Sequence, residues 1–209
     1  MPKQDRAERT RNVILDAAAE AFEARGFAGA SLSDILTRAG VTKGALYFHF
    51  SSKEELAKAL VEEQYNIELP TLENTTNPIQ SVIDLCHSFC HSLCTNIRVR
   101  ASNRLVTEAN FERPYPQVFT RWNDLIYEFL KIALTTGDLR PELDPAEVAS
   151  FIGGAVFGIQ TMSDILTHRE DLRDRLTDMW KISLPGLVPA RRLSRFRPGG
   201  NVKWDTSAA

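Results

Sequence analysis

Apolar residues in this 209-residue chain recur at helical spacing, and no stretch sustains the period-two alternation of a half-buried strand. An all-α fold is therefore the architecture to expect. Residues 10 to 25 place Ile14, Ala17, Ala18, Ala21 and Phe22 on one helical face, with Thr10 to cap the start and Gly26 to suit a left-handed end. Ser31 caps "LSDILTRA", a short helix buried through Leu32, Ile35 and Leu36. Gly40 supplies a sharp turn, Thr42 caps "KGALYFHF", and Ser51 with Glu54 forms a capping box for a fourth helix over 52 to 67. Leu56, Leu60 and Val61 face inward on that helix. Beyond the polar loop "PTLENTTNP" come helical patterns over 79–97, 101–110, 116–136, 145–167 and 170–184. From Arg191 the chain turns basic and Gly/Pro-containing, which predicts a disordered tail.

Two short helices joined by a tight glycine turn form a helix-turn-helix, whose second helix enters the major groove of DNA. "GVTKGALYFHFSSKEEL", residues 40 to 56, has the parts in that order. Thr42 and the helix start offer a hydroxyl and N–H groups to phosphate, and Lys43 adds charge there. Gly44 and Ala45 permit close approach, and Ala45 can touch a thymine methyl. Tyr47 and His49 can bond phosphate or sugar, and Lys53 can reach the flanking strand. Phe50 belongs to the core, and Leu46 and Phe48 are expected to lie at least partly there. The DNA-facing set is Ser31, Thr42, Lys43, Gly44, Ala45, Tyr47, Phe48, His49 and Lys53.

Charge distribution agrees with a polyanion partner at the ends. Residues 1–60 carry nine basic and eight acidic side chains, 61–189 eleven and eighteen, and 190–209 five and one. The opening "MPKQDRAERTRN" leads into an amphipathic helix instead of a secretory leader. The longest apolar run, "VASFIGGAVFGIQTM", is about five residues short of a bilayer span. A cytoplasmic protein without membrane contact is the expectation. No Gly-rich phosphate loop or nucleophile–base constellation marks an enzyme, and no cofactor is expected.

"SLSDILTRAGVTKGALYFHFSSKEELAKAL" resembles the DNA-binding domain of the TetR family of dimeric transcriptional repressors, over about the first 65 residues of the chain. Leu36 departs from the pattern, since many members carry a small residue there. "TKGALYFHF" and "PYPQVFTRW" are similar to segments of the γ-butyrolactone receptors of streptomycetes. The resemblance implies a helix-turn-helix domain over 1–51 and a ligand-binding and dimerisation domain over 52–189, with 190–209 as the tail. It also implies a homodimer on a pseudo-palindromic operator, released by a small hydrophobic lactone and controlling antibiotic or other secondary-metabolite genes. The ligand would lie against Trp122, with Gln64, Phe89, Ile126, Phe157 and Thr161 around it. Gln64 and Thr161 would each be either a hydrogen-bond partner for the ligand or a polar residue satisfied within the protein. Since signalling receptors of this kind tend to be acidic and their antibiotic-sensing relatives basic, the resemblance with a pI near 6.1 implies a signalling receptor; a sensor of an antibiotic or other hydrophobic metabolite is the alternative.

Two patterns remain open at this level. The small residues of "IGGAVFG", with "DLRDRLTDMWKISL", suit either a two-fold interface or tight packing within one subunit. "CHSFCHSLC" places Cys86, Cys90 and Cys94 on the same arc as Val82, Ile83 and Leu93, which favours core packing. The rival is metal or redox sensing through those cysteines and the adjacent His87 and His91.

Overall fold

Every regular element among the described residues is helical. The computed structural model describes residues 3–63, 76–108 and 116–204. In chain order the helices are α1 (Lys3–Gly29), α2 (Leu32–Ala39), α3 (Lys43–His49), α4 (Lys53–Glu63), α5 (Pro78–Thr95), α6 (Ile97–Thr107), α7 (Pro116–Thr136), α8 (Pro145–Thr167) and α9 (Leu172–Leu187). A 3-10 helix over Ala190–Arg195 follows. The chain divides into two compact units, Met1–Glu68 with Thr95–Tyr115, and Leu69–Cys94 with Pro116–Ala209.

Unit 1 departs from the sequence-based boundary at residue 51, because its core needs more than three helices. Ile14, Leu15, Ala18 and Phe22 of α1 are fully buried with Ile35 of α2, Leu46 of α3, and Leu56 and Leu60 of α4. Val99, Ala101, Leu105 and Val106 of α6 are buried as well, and α6 packs along α1 and α4. The predicted break between 97 and 101 falls earlier, at Asn96, whose extended backbone and side-chain cap to the Arg98 N–H at 2.9 Å begin α6.

Local signals are met with shifts of register. Thr10 lies inside α1 and donates its hydroxyl to the Arg6 carbonyl at 2.9 Å, because the charged helix formers before it extend the helix. Gly26 takes φ 70 and ψ 178, which ends the regular helix there. Its bare Cα also leaves space for the Glu108 carboxylate, which accepts the Phe27 N–H at 2.7 Å. Ser52, not Ser51, caps α4: its hydroxyl accepts the Glu55 N–H at 3.2 Å. Glu55 in turn accepts from the Ser51 N–H and hydroxyl, each at 2.6 Å, so the cap lies one residue later than predicted and the carboxylate reaches back one residue past it.

In unit 2 the core is built by Ile79, Val82, Ile83, Cys86 and Cys90 of α5, Ile126, Phe129, Leu130 and Ala133 of α7, Ile152 and Val156 of α8, and Leu172, Leu176, Trp180 and Leu184 of α9. Helix α8 has 23 residues, longer than its apolar run, and buries Val148, Ala149, Ile152 and Val156 in this core. Asp171 ties the end of α8 to α9, accepting from the Ser163 hydroxyl at 2.6 Å, Thr167 at 2.7 Å and Arg175 Nε at 2.7 Å. Those donors hold its carboxyl down at about 2.

The expected disordered tail is instead an ordered strap through residue 204. Arg192 and Arg195 both donate to Asp138, at 2.6 and 2.8 Å, and Asp138 is only 1% exposed. Gln80, Asp84 and His87, on successive turns of one α5 edge, then hold the strap. Gln80 Oε1 accepts the Arg197 N–H at 2.8 Å, the His87 ring meets the Pro198 carbonyl at 2.9 Å, and Asp84 accepts the Asn201 N–H at 2.8 Å. Trp204 sets its ring edge-on to His87 and His91, with centroids 5.9 and 5.5 Å away. Composition predicted disorder because it weighs Gly, Pro and charge, whereas buried Phe196 and five backbone or side-chain anchors decide order here.

Candidate DNA-reading head and sensor core

The turn in the head is set by Gly40, left-handed at φ 62 and ψ 29, with its N–H bonded to the Leu36 carbonyl. Ser31 caps α2, accepting the Asp34 N–H at 3.1 Å, and Thr42 caps α3, accepting the Ala45 N–H at 3.2 Å. Leu46 and Phe50 anchor α3 inward and are buried. That anchoring leaves Lys43, Gly44, Tyr47 and Phe48 exposed, with Ala45 and His49 half-buried on the flanks. Lys43 Nζ stands 5.8 Å from the Tyr47 ring centroid, so one cation and one phenol share an edge.

Two expectations about side chains of the head are corrected. Phe48 is 78% exposed, not partly core, because the inward positions are filled by Leu46 and Phe50. Lys53 turns back into the head: its ammonium donates to the carbonyls of Phe27 and Ala30, at 2.8 and 3.0 Å, and lies 4.4 Å from the Phe27 ring centroid. It fastens the end of α1 to the start of α4 and is not poised over a flanking phosphate.

Among the sensor residues, Phe89 of α5 and Trp122 of α7 meet with ring centroids 5.2 Å apart, against a core that contains fully buried Ile126. Phe157 meets Phe119 edge-on at 5.7 Å and is 38% exposed. The Thr161 hydroxyl is satisfied locally, donating to the Phe157 carbonyl and accepting from Gln160 Nε2, both at 2.9 Å. Gln64 lies outside the described residues. Sequence reasoning passed over Trp180, which is 1% exposed in the same core and whose indole N–H has no partner among the described residues. The i, i+4 stripe Leu172, Leu176, Trp180, Leu184 was the available signal, since a stripe that regular faces a core.

Cys86 and Cys90 are completely buried, and burial pushes both thiols well above their ordinary range. Such thiols are poor nucleophiles and poor metal ligands. Among the described residues, no three Cys, His, Asp or Glu side chains converge on a metal-sized space.

A helix-turn-helix head in one unit and a separate all-helical apolar core in the other define a DNA-binding regulator, not an enzyme. Residues 14–60 match the family described as bacterial regulatory proteins, tetR family, and residues 76–189 match the tetracyclin repressor-like C-terminal domain. The chain belongs to the tetR family. It is 37% identical over 203 residues to the A-factor receptor protein of Streptomyces griseus, covering 97% of this chain and 72% of that one. Two solved structures are also similar. CprB from Streptomyces coelicolor, in complex with its operator sequence, has a TM-score of 0.77 at 34% identity, covering 91% of this chain and 94% of that one. A gamma-butyrolactone receptor described as ArpA-like has a TM-score of 0.75 at 32% identity, with 91% and 93% covered.

Proposed function

We propose that the protein is a cytoplasmic homodimeric repressor released from its operator by a small hydrophobic lactone. The observation that carries the sensor half is the unpartnered Trp180 N–H, a buried donor in the core that Phe89 and Trp122 pack against. A buried donor without an acceptor is costly, and a ligand carbonyl would remove that cost on entering. Likeness to the A-factor receptor and to a gamma-butyrolactone receptor supports a ligand with such a carbonyl.

For dimerisation, Phe151, Met162, Ile165 and Leu166 of α8 and Ile182 of α9 are 53–79% exposed. A Cβ added at Gly154 or Gly158 would meet nothing within 4 Å, whereas one at Gly153 would strike Asn123. Gly153 therefore serves packing of α7 on α8, while the stripe 151, 154, 158, 162, 165 is free for a second copy. Two such copies would set their α3 helices in successive major grooves about 34 Å apart, or a multiple of it. Lys43, Tyr47, His49 and Thr42 would contact the phosphates and base edges. Ligand binding favours a conformer with mismatched heads, and operator affinity falls by the ratio of ligand affinities for the two states.

The test is fluorescence anisotropy with labelled DNA from upstream of the protein's own gene, titrated with synthetic γ-butyrolactones and butenolides. Tight, salt-sensitive binding released by one of them is the expected result. Binding that none of them releases would reject the lactone and point to an antibiotic or other hydrophobic metabolite. An absence of tight binding would reject the repressor itself.

A further inference from the structure

Leu46 and Phe50 are the inward side chains of α3. At about 100° per residue, the direction opposite to them is occupied by Phe48, with Gly44 one turn before it and Ala45 beside it. The face of α3 turned farthest from its own core is thus wholly apolar. No Asn, Gln or Arg stands on it to form bidentate hydrogen bonds with a base edge, and Lys43 and Tyr47 lie to one flank. Phe48 is 78% exposed, against 46% for Tyr47 and 45% for Val13, the other large apolar side chains that unit 1 exposes among its described residues.

Gly44 supplies an independent observation. A Cβ built there would meet only Thr42 Oγ1, at 4.0 Å, so nothing inside the chain requires a glycine. Its φ is not in the left-handed region either. Alanine would favour the helix, and a bare Cα on this face therefore serves an approach from outside. In the major groove the one apolar group a base edge presents is the C5-methyl of thymine.

We propose that Phe48 is a specificity-determining residue whose ring packs on a thymine C5-methyl in each operator half-site, with Gly44 kept bare so that α3 can carry the ring deep enough to reach it. This rests on the repressor reading. It also moves the methyl contact from Ala45, which is half-buried, to Phe48. Flanking Lys43 supplies the charge that holds the helix against the phosphates while the ring reads the base.

The experiment begins by selecting duplexes from a random pool with the full-length protein. Failure to enrich a two-fold symmetric sequence would sink the repressor reading and this inference with it. From an enriched site, each thymine is replaced singly by deoxyuridine, which deletes only the methyl, and affinity is read by anisotropy at fixed salt. Wild type should lose about fourfold at one thymine per half-site, the worth of one buried methyl. Phe48→Ala should bind more weakly overall but lose less than about 1.5-fold at that same thymine. Phe48→Leu should keep part of the methyl dependence. Circular dichroism melting should be the same for all three proteins, because the side chain is exposed. If no thymine shows the loss, or if Phe48→Ala shows it equally, the symmetric site stands and the role given to Phe48 is wrong.

Discussion

Arg98 and Glu63 form an ion pair at 2.8 Å that fastens α6 to α4, and the same guanidinium reaches α1 through Asp16 at 2.7 Å and the Asn12 carbonyl at 3.0 Å. Its side chain is 23% exposed and that of Glu63 25%, so the cluster is screened less than a surface pair. One residue of α6 thus holds three helices of the head together. Helix α6 follows α5 across the single residue Asn96, so under the proposed ligand-driven change a movement of α5 would reach the head through this clamp.

Arg98→Ala should therefore do two things. Removing it leaves Glu63 paired with Arg11 alone, at 3.0 Å, and takes from half-exposed Asp16 the cation it pairs with, which costs about 1 kcal/mol in urea unfolding. Operator release by ligand should require a higher ligand concentration, because α6 no longer carries the head as one body. Unchanged stability together with unchanged release would show that the cluster is incidental.

The strap gives a second expectation. A chain ending at Val188 exposes the Gln80, Asp84, His87 edge of α5 and strips two arginines from buried Asp138. Its melting temperature should fall by several degrees, since a loss of about 2 kcal/mol shifts a domain of this size by that much. Cys86 should also become reactive towards a thiol reagent under native conditions, where in the full chain it is sealed. A truncated protein that melts like the full chain would mean that the anchors contribute nothing net.

His87 makes the strap sensitive to acid. Burial is the first cause holding its imidazole below the ordinary 6.5, opposed by the Pro198 carbonyl and Asp84 and reinforced by Arg173. The Pro198 carbonyl can only accept, so ring Nε2 carries the proton and Nδ1 is left buried without a partner. The unfolded chain binds a proton at this site more readily than the folded one. Stability is thus complete above about pH 6.5 and is lost as pH falls through the lowered native value. His87→Gln should flatten that part of the pH–stability curve, measured by urea midpoints between pH 7 and 5.

The head was legible in the sequence because its signals are local. Ser31, Gly40 and Thr42 act within four residues, and each makes the cap or turn its position predicts. What was not legible depends on contacts between distant positions. Lys53 could be placed near a phosphate only by ignoring the carbonyls of Phe27 and Ala30, which lie 26 and 23 residues earlier. Likewise the anchors of the strap join residues 117 and 111 positions apart, which no window of composition can see. Phe48 and Trp180 show the same limit in opposite senses. Aromatic character predicts burial, yet one is placed outward by its neighbours, and the other is buried with its donor unmet.

The free stripe on α8 yields a prediction about assembly. Ile165 is 71% exposed and belongs to the row that also contains Gly154, Gly158 and Met162. If α8 forms the proposed two-fold interface, Ile165→Glu would place in it a carboxylate that must be desolvated. Light scattering should show a monomer or a strongly weakened dimer, with an unchanged helical spectrum because the side chain is outside the subunit core. A dimer as tight as wild type would place the interface elsewhere.

Trp180→Phe isolates the proposed ligand donor. The change keeps an aromatic ring in a site that is 1% exposed and removes the unpartnered N–H. Stability should hold or rise slightly, because a buried unmet donor is deleted. Operator affinity without ligand should be unchanged. The lactone concentration that releases the operator should rise by about five- to tenfold, the worth of one hydrogen bond of about 1 kcal/mol or slightly more. Equal ligand sensitivity in the two proteins would show that the indole N–H does not face the ligand, and would leave the Phe89 and Trp122 wall as the recognition surface. A loss of both operator binding and stability would instead identify Trp180 as a packing residue of the core.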